Sequence, residues 1–401
     1  MAKILEVVAS LSVGGAERVA LELAAGLNAD PRYAIQAEMA VVGESDLSAH
    51  YGRSILDEAR KRNVIVHEVR ATSGTRWTQA FRQLVHGRGI DLVHVHNRPR
   101  DWQLARLCLL TGIPVVYSVH KPYLHRSWRT KLLYAALARV VTPVICVSRS
   151  VAEHVQKLEF APARNCHVIY NGVNTNVFSP LEPEKRRQKR LSLDWAEDDF
   201  IWLCAARFHP QKAHTFLIDA VARLPETSRS RLVLAGEGPL EAALREQIAR
   251  LRLESRVTFL GARSDVSELL GAADAYVMSS REEGHPLSVL EAMACQLPIL
   301  APRLPSITEI AITDAPTFFG PQIRGIAMTH DPGQIAEAMS AIESAPSAIR
   351  RAALASRQHV AERFSLEAML GHHSALYAAV LAKPANATHR ALRILGRWSG
   401  R

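Results

Sequence analysis

Short apolar runs of strand length alternate with amphipathic stretches of helix length along almost the whole chain, and this alternation restricts the fold more than any other feature. A run apolar on every position suits a strand covered on both faces. The intervening helical periodicity supplies the cover, so the pattern predicts parallel sheets flanked by helices. In the first half, strands are predicted at 4–9, 37–42, 64–69, 92–95, 115–119, 144–147 and 167–170. Helices are predicted between them at 17–27, 55–60, 77–86, 102–110, 128–138 and 150–158. That is a doubly wound domain. Residues 179–195, with Pro180, Pro183 and Lys185-Arg186-Arg187, break the alternation and read as a linker region. A second series follows, with strands at 201–205, 231–234, 257–260, 275–278 and 299–300, and then a helical stretch over 332–381.

A chain of 401 residues is too long for one ordinary core, so two α/β domains of similar size fit its length. The 48% hydrophobic and 22% charged content excludes disordered and fibrous classes. Cys108, Cys146, Cys166, Cys204 and Cys295 have no paired spacing and read as buried thiols of a reducing compartment. The start, Met1-Ala2-Lys3-Ile4-Leu5, lacks the regions of a signal peptide, and residues 132–147 are interrupted by Arg139 and Pro143, so a cytoplasmic protein is expected. The formal net charge of +10 suits a phosphorylated substrate or an anionic surface. No run of basic residues interleaved with aromatics resembles an RNA-binding module, and a nucleic-acid partner is not expected.

The chemistry is expected beyond the carboxyl ends of strands, where open parallel sheets bind ligands. Gly14-Gly15 follows the first strand and precedes a helix, a turn able to receive an anion, though a plain turn fits as well. In the second half, Arg207 and Lys212 bracket the loop after the first strand, where two cations can neutralise a diphosphate leaving group. Glu283-Gly284-His285-Pro286-Leu287 leads into a helix carrying Glu291. With Pro286 in the first turn, both carboxylates would share one helix face. His120 closes a strand as a candidate hydrogen-bond donor or proton carrier, with His94, His96 and Asn97 as comparable candidates. No two aspartates lie two positions apart, so no Asp-x-Asp metal pair exists and no metal is expected.

Gly14-Gly15-Ala16-Glu17-Arg18, Val168 to Asn174, Arg207 with Lys212, Ala235-Gly236-Glu237-Gly238-Pro239-Leu240, Phe259-Leu260-Gly261 and Glu283 to Glu291 together resemble the group 1 glycosyltransferases, retaining family 4, over nearly the whole chain. The resemblance implies a GT-B fold. Its two Rossmann-like domains face across a cleft: an acceptor-side domain 1–178, completed by a C-terminal helix near 366–401, and a donor domain 196–365. It implies that Arg207 and Lys212 grip the diphosphate of a nucleotide sugar and that Glu291 binds the ribose. Glu283, with the backbone of Gly284, His285, Pro286 and Leu287, would hold the sugar. Gly14 and Gly15 would approach the donor, His120 would stand near the sugar and Arg263 near the base. Two departures concern the pocket shape: Gln296 stands where the family often has glycine, and Pro302-Arg303-Leu304-Pro305-Ser306 where it has a glycine-rich turn.

The expectation is therefore metal-independent, cofactor-free transfer of a hexose or N-acetylhexosamine, with retention, to a glycan or lipid-linked acceptor of the cell envelope. The segment 121–134 is basic, aromatic and apolar together. It reads equally as a membrane-headgroup contact or as an amphipathic helix with a solvated basic face. The basic tail 385–401 reads as a small amphipathic helix or a frayed terminus. Alternatives are an epimerase or phosphorylase of the same architecture, or a sugar-nucleotide-binding protein without turnover.

Overall fold

The computed structural model describes residues 1–11, 14–42, 50–69, 74–96, 112–121, 143–158, 161–310, 331–344 and 346–382. The helices expected at 102–110 and 128–138, Asn97, Cys108, residues 122–134 of the basic aromatic segment and the tail 385–401 lie outside them. The chain forms two compact units, Met1–Asn171 with Leu366–Arg401, and Gly172–Ser365.

The first unit runs β1 (Ala2–Val8), α1 (Gly15–Ala29), β2 (Ile35–Val41), α2 (His50–Lys61), β3 (Val66–Glu68), α3 (Gly74–Arg88), β4 (Leu92–His96), β5 (Val115–Val119), β6 (Val144–Cys146), α4 (Arg149–Leu158) and β7 (Cys166–Val168). Its seven-stranded sheet has the order β3-β2-β1-β4-β5-β6-β7, with every neighbouring pair parallel. β4 and β5 are buried at every position, as strands covered on both faces must be. Leu5, Val7, Val93, Val95 and Val115 pack under Phe81 and Val85 of α3. Burial of each such side chain contributes roughly 1.5–3 kcal/mol. A final helix, Leu366–Leu381, returns to α1. Gly26 permits that approach, because a Cβ there would lie 2.6 Å from Leu370 Cδ1.

The second unit runs α5 (Pro183–Leu191), β8 (Phe200–Ala205), α6 (His214–Val221), β9 (Ser230–Ala235), α7 (Glu241–Leu251), β10 (Val257–Gly261), α8 (Val266–Ala272), β11 (Ala275–Val277), α9 (Leu287–Ala294), β12 (Ile299–Leu300), α10 (Pro305–Thr308), α11 (Pro332–Ser344) and α12 (Pro346–Arg363). Its parallel sheet has the order β10-β9-β8-β11-β12. The expected linker at 179–195 is not a spacer. α5 belongs to this unit, and its charged side chains fasten it there. Arg190 is buried and donates to Asp274 and to the carbonyls of Ala272, Ala196 and Asp199. Arg186 pairs with Asp274, and Lys189 with Asp265 and Glu268.

Both sheets reverse their strand order once, between β1 and β4 and between β8 and β11. At such a point adjacent strands send their following segments to opposite faces, and a crevice opens beyond their carboxyl ends.

Candidate active site

In the second unit the crevice is built from the segments after β8 and β11. After β8 the chain turns through the short helical segment Pro210–Lys212, capped by the His209 side chain, which accepts from the amide of Gln211. After β11 it runs as an irregular loop to α9, whose N-cap is Pro286. Pro286 thus stands one position before the first turn, and Glu283 lies in the loop. The expected shared helix face of Glu283 and Glu291 is therefore absent. Burial holds the Tyr276 hydroxyl well above its ordinary pKa, and Cys204, Glu291 and Glu283 push the same way.

Five polar contacts stitch the two segments together. Lys212 Nζ meets Glu283 Oε1 at 2.6 Å, with both side chains mostly covered. Ser279 Oγ donates to the carbonyls of Lys212 and Ala213, Gln211 Nε2 donates to the Glu282 carbonyl, and the Arg281 amide donates to the Gln211 carbonyl. Ser306 Oγ of α10 donates to the Glu283 carbonyl at 2.9 Å. Thus the proline-bearing turn that departs from the family pattern supports the Glu283 loop directly. Ser279, Gln211 and Ser306 carry no motif signal, and sequence reasoning missed them. Ser279, two residues beyond a strand end at the order reversal, is the one a sheet-order argument could have found.

Arg207 is exposed and has no side-chain partner among the described residues. Its backbone is fixed from below by the Gly-rich turn after β9. The Phe208 amide donates to the Glu237 carbonyl, and the Leu240 amide donates to the Phe208 carbonyl. Gly236 and Gly238, at φ 153° and 159°, let that turn approach so closely. A Cβ at Gly236 would lie 2.1 Å from the Ala206 oxygen, and one at Gly238 would lie 2.5 Å from the Phe208 oxygen. This motif therefore shapes the cation loop.

His285 is buried against the Phe364 ring at 5.4 Å, and burial lowers its pKa to about 3, so only its backbone can serve a ligand. Arg263 is committed to Asp265 through two hydrogen bonds, 2.8 and 2.6 Å, and no contact among the described residues brings it to Lys212 or Glu283. Asp265 also holds Lys189. Gln296 stands at φ 60°, which explains why a glycine would suit this turn after α9.

In the first unit, the expected tight turn at Gly14-Gly15 is instead an extended residue followed by a helix start, with Gly14 at φ −151°. At Gly14 the end of the Glu17 side chain occupies the place of a Cβ, whereas Gly15 faces open space. His120 follows β5 and meets His96, at the end of β4, through Nε2 to Nδ1 at 3.0 Å. Burial and the neighbouring His96 hold His120 well below its ordinary pKa, so its ring is neutral. Among the described residues no helix is long and apolar enough to cross a membrane.

The family model described as "Glycosyl transferases group 1" matches residues 185–358, and that of "Glycosyltransferase Family 4" matches residues 13–177. The chain is 32% identical over 222 residues to EpsD of Bacillus subtilis, provisionally named a glycosyltransferase. It is 30% identical over 227 residues to the UDP-Gal:alpha-D-GlcNAc-diphosphoundecaprenol alpha-1,3-galactosyltransferase of Escherichia coli. These matches cover 53% of this chain, and the chain spans 58% of the length of each relative. The crystal structure of Anabaena Alr3699/HepE in complex with UDP-glucose superposes with a TM-score of 0.81 at 21% identity, covering 94% of this chain and 99% of that one. This likeness establishes the GT-B fold.

Proposed function

Because this chain belongs to the group 1 glycosyltransferases, we propose that it transfers a hexose or N-acetylhexosamine from a nucleoside-diphosphate sugar to a hydroxyl of a glycan or lipid-linked acceptor, with retention at the anomeric carbon. The observation that carries the reading is the contact of Lys212 with Glu283 at the strand-order reversal of the second unit, with the exposed Arg207 in the same loop after β8. Cations at that point neutralise the charge that grows on a departing diphosphate, and preorganised charge of this kind is commonly the largest contribution a protein makes. Side chains supply it here, and no resident metal or cofactor is proposed. Glu283 holds sugar hydroxyls with the backbone of Gly284 to Leu287, and Glu291 holds the ribose. Neither is assigned as a nucleophile, since each is given a different part of the donor, whereas a retaining hydrolase sets two carboxylates about the same bond. The departing phosphate itself assists attack from the face it leaves.

The E. coli relative's name, with its UDP-sugar and diphosphoundecaprenol acceptor, supports a lipid-linked acceptor and an envelope glycan product. The reaction would take place at the cytoplasmic face of the membrane, with the segment 121–134 touching the headgroups. Flotation with anionic liposomes at low salt tests that contact, and failure to float removes it.

A panel of nucleotide sugars, each scored for thermal stabilisation and for slow hydrolysis of the donor, tests the main reading without knowledge of the acceptor. At least one donor should raise Tm and release its nucleoside diphosphate. A product sugar of inverted configuration would overturn retention. Conversion of a donor to its epimer would replace the assignment with the epimerase.

A further inference from the structure

The buried polar cluster of the first unit orders its hydrogens along the line from Glu6 through His96 to His120. Glu6, on β1, is completely buried. Its Oε2 lies 2.8 Å from His94 Nδ1 and 2.7 Å from His96 Nε2, and its Oε1 lies 3.0 Å from the Tyr377 hydroxyl. Burial alone would raise its pKa, but the pairing and hydrogen bonds from His94 and His96 outweigh this and hold it well below the usual carboxylate range. An ionised carboxylate only accepts, so His96 Nε2 carries a proton. His96 is neutral, its pKa lowered to about 4 by burial and by His94, so its Nδ1 is bare. A bare Nδ1 accepts, and the His120 Nε2 at 3.0 Å must donate to it. His120 is itself neutral, which leaves its Nδ1 unprotonated, and that atom has no partner among the described residues. The remaining members agree. His94 Nδ1–H lies between Glu6 Oε2 at 2.8 Å and the Tyr377 hydroxyl oxygen at 2.6 Å and is shared by both acceptors, and its Nε2 accepts from Ser118 Oγ at 2.8 Å. Tyr377 donates to Glu6, and His373 Nδ1 donates to the Met369 carbonyl.

We propose that Glu6 is a positioning residue for sugar transfer: through His96 it fixes His120 in the Nε2–H tautomer, so that His120 presents Nδ1 as an acceptor for a substrate hydroxyl. This rests on the reading that His120 takes part in transfer. It narrows that role, since a ring held this way accepts a hydrogen bond from a sugar or acceptor hydroxyl and cannot act as a cation on phosphate. Tyr377 anchors the relay from the final helix.

Two measurements test it. Histidine ring 15N NMR on the wild-type protein, with His96→Gln and His120→Gln for assignment, should show Nε2–H and bare Nδ1 for both residues. An Nδ1–H form of His120, or one equivalent of tightly bound metal held by Glu6, His94 and His96 in place of the ring protons, would overturn the proposal. This arm needs no turnover, so it fails independently of the transferase assignment. In the kinetic arm, Glu6→Gln should lower kcat by about 10–100-fold with donor KM within about twofold and mix the tautomers of His120. Unchanged kcat in a folded Glu6→Gln protein would also overturn it.

Discussion

Lys212 and Glu283 close an ion pair of 2.6 Å between the segments that follow two adjacent, oppositely connected strands. A diphosphate arriving at Lys212 meets an ammonium already oriented by Glu283, and the carboxylate is steered towards sugar hydroxyls in turn. Lys212→Ala should lower turnover by about 10²–10³-fold, as for loss of a preorganised charge at a leaving group. Glu283→Gln should raise donor KM as well as lower kcat. Since each single change also leaves its mostly covered partner without its counter-charge, the double variant should cost less than the sum. Values of kcat/KM for the four proteins check this, and strictly additive losses would deny the coupling.

The Gly-rich turn after β9 gives a second prediction. Gly238→Ala places a methyl within 2.5 Å of the Phe208 oxygen and should destabilise the protein by about 1–3 kcal/mol, with a fall in kcat as the Arg207 loop is displaced. Gly15→Ala meets open space and should change stability by no more than about 0.5 kcal/mol while impairing turnover. Urea midpoints beside initial rates separate the two, and equal destabilisation by both would contradict the geometry.

Gln296 occupies a left-handed backbone position, and there a side chain is strained whereas glycine is not. Gln296→Gly should therefore stabilise by up to about 1 kcal/mol, after the greater entropy that glycine loses on folding. A lowered denaturation midpoint would mean that the glutamine side chain contributes packing that outweighs its backbone strain.

Acid should unfold the protein early. Burial lowers the pKa of His96, His214 and His373 to about 4 and of His285 to about 3. A histidine whose folded pKa lies below its unfolded value of 6.5 is protonated first in the unfolded chain. Its contribution is thus complete above pH 6.5 and is lost as pH falls towards the folded value. Each should remove up to about 1.4 kcal/mol per pH unit across that window. Glu6, held low by His94 and His96, adds to the loss below its unfolded value of 4.5. Tm should be highest above pH 6.5 and fall steeply between 6.5 and 4, with a shallower slope in His285→Met. A flat profile to pH 4.5 would contradict the burial of these rings.

Nearly every strand was legible in the sequence, because a strand buried on both faces leaves an uninterrupted apolar run such as Val115–Val119. Strand order was not legible. The reversal between β8 and β11, which brings Lys212 to Glu283, depends on packing between runs about 70 residues apart. Local charge misled at 179–195, where arginines that look solvated reach buried carboxylates and carbonyls of the same unit. The residue types of the cation loop were readable, whereas Ser279 and Ser306, which hold it through backbone carbonyls, look like any other serine. Glu6 gave no signal either, being one acidic residue in an apolar strand whose partners are contributed by distant segments.

Tyr377, which donates to Glu6 from the final helix, is separated from it by 371 positions. On the ribosome, at roughly 5–20 residues per second, the chain waits about 20–75 s between the emergence of β1 and that of the helix that covers it. The entire second unit is synthesised in that interval. The first unit to leave the ribosome is therefore the last to be finished, and until then a buried carboxylate stands in a half-built core. A nascent chain stalled before residue 366 would carry a complete second unit beside an unfinished first one, the state that a chaperone holding exposed α1 would recognise.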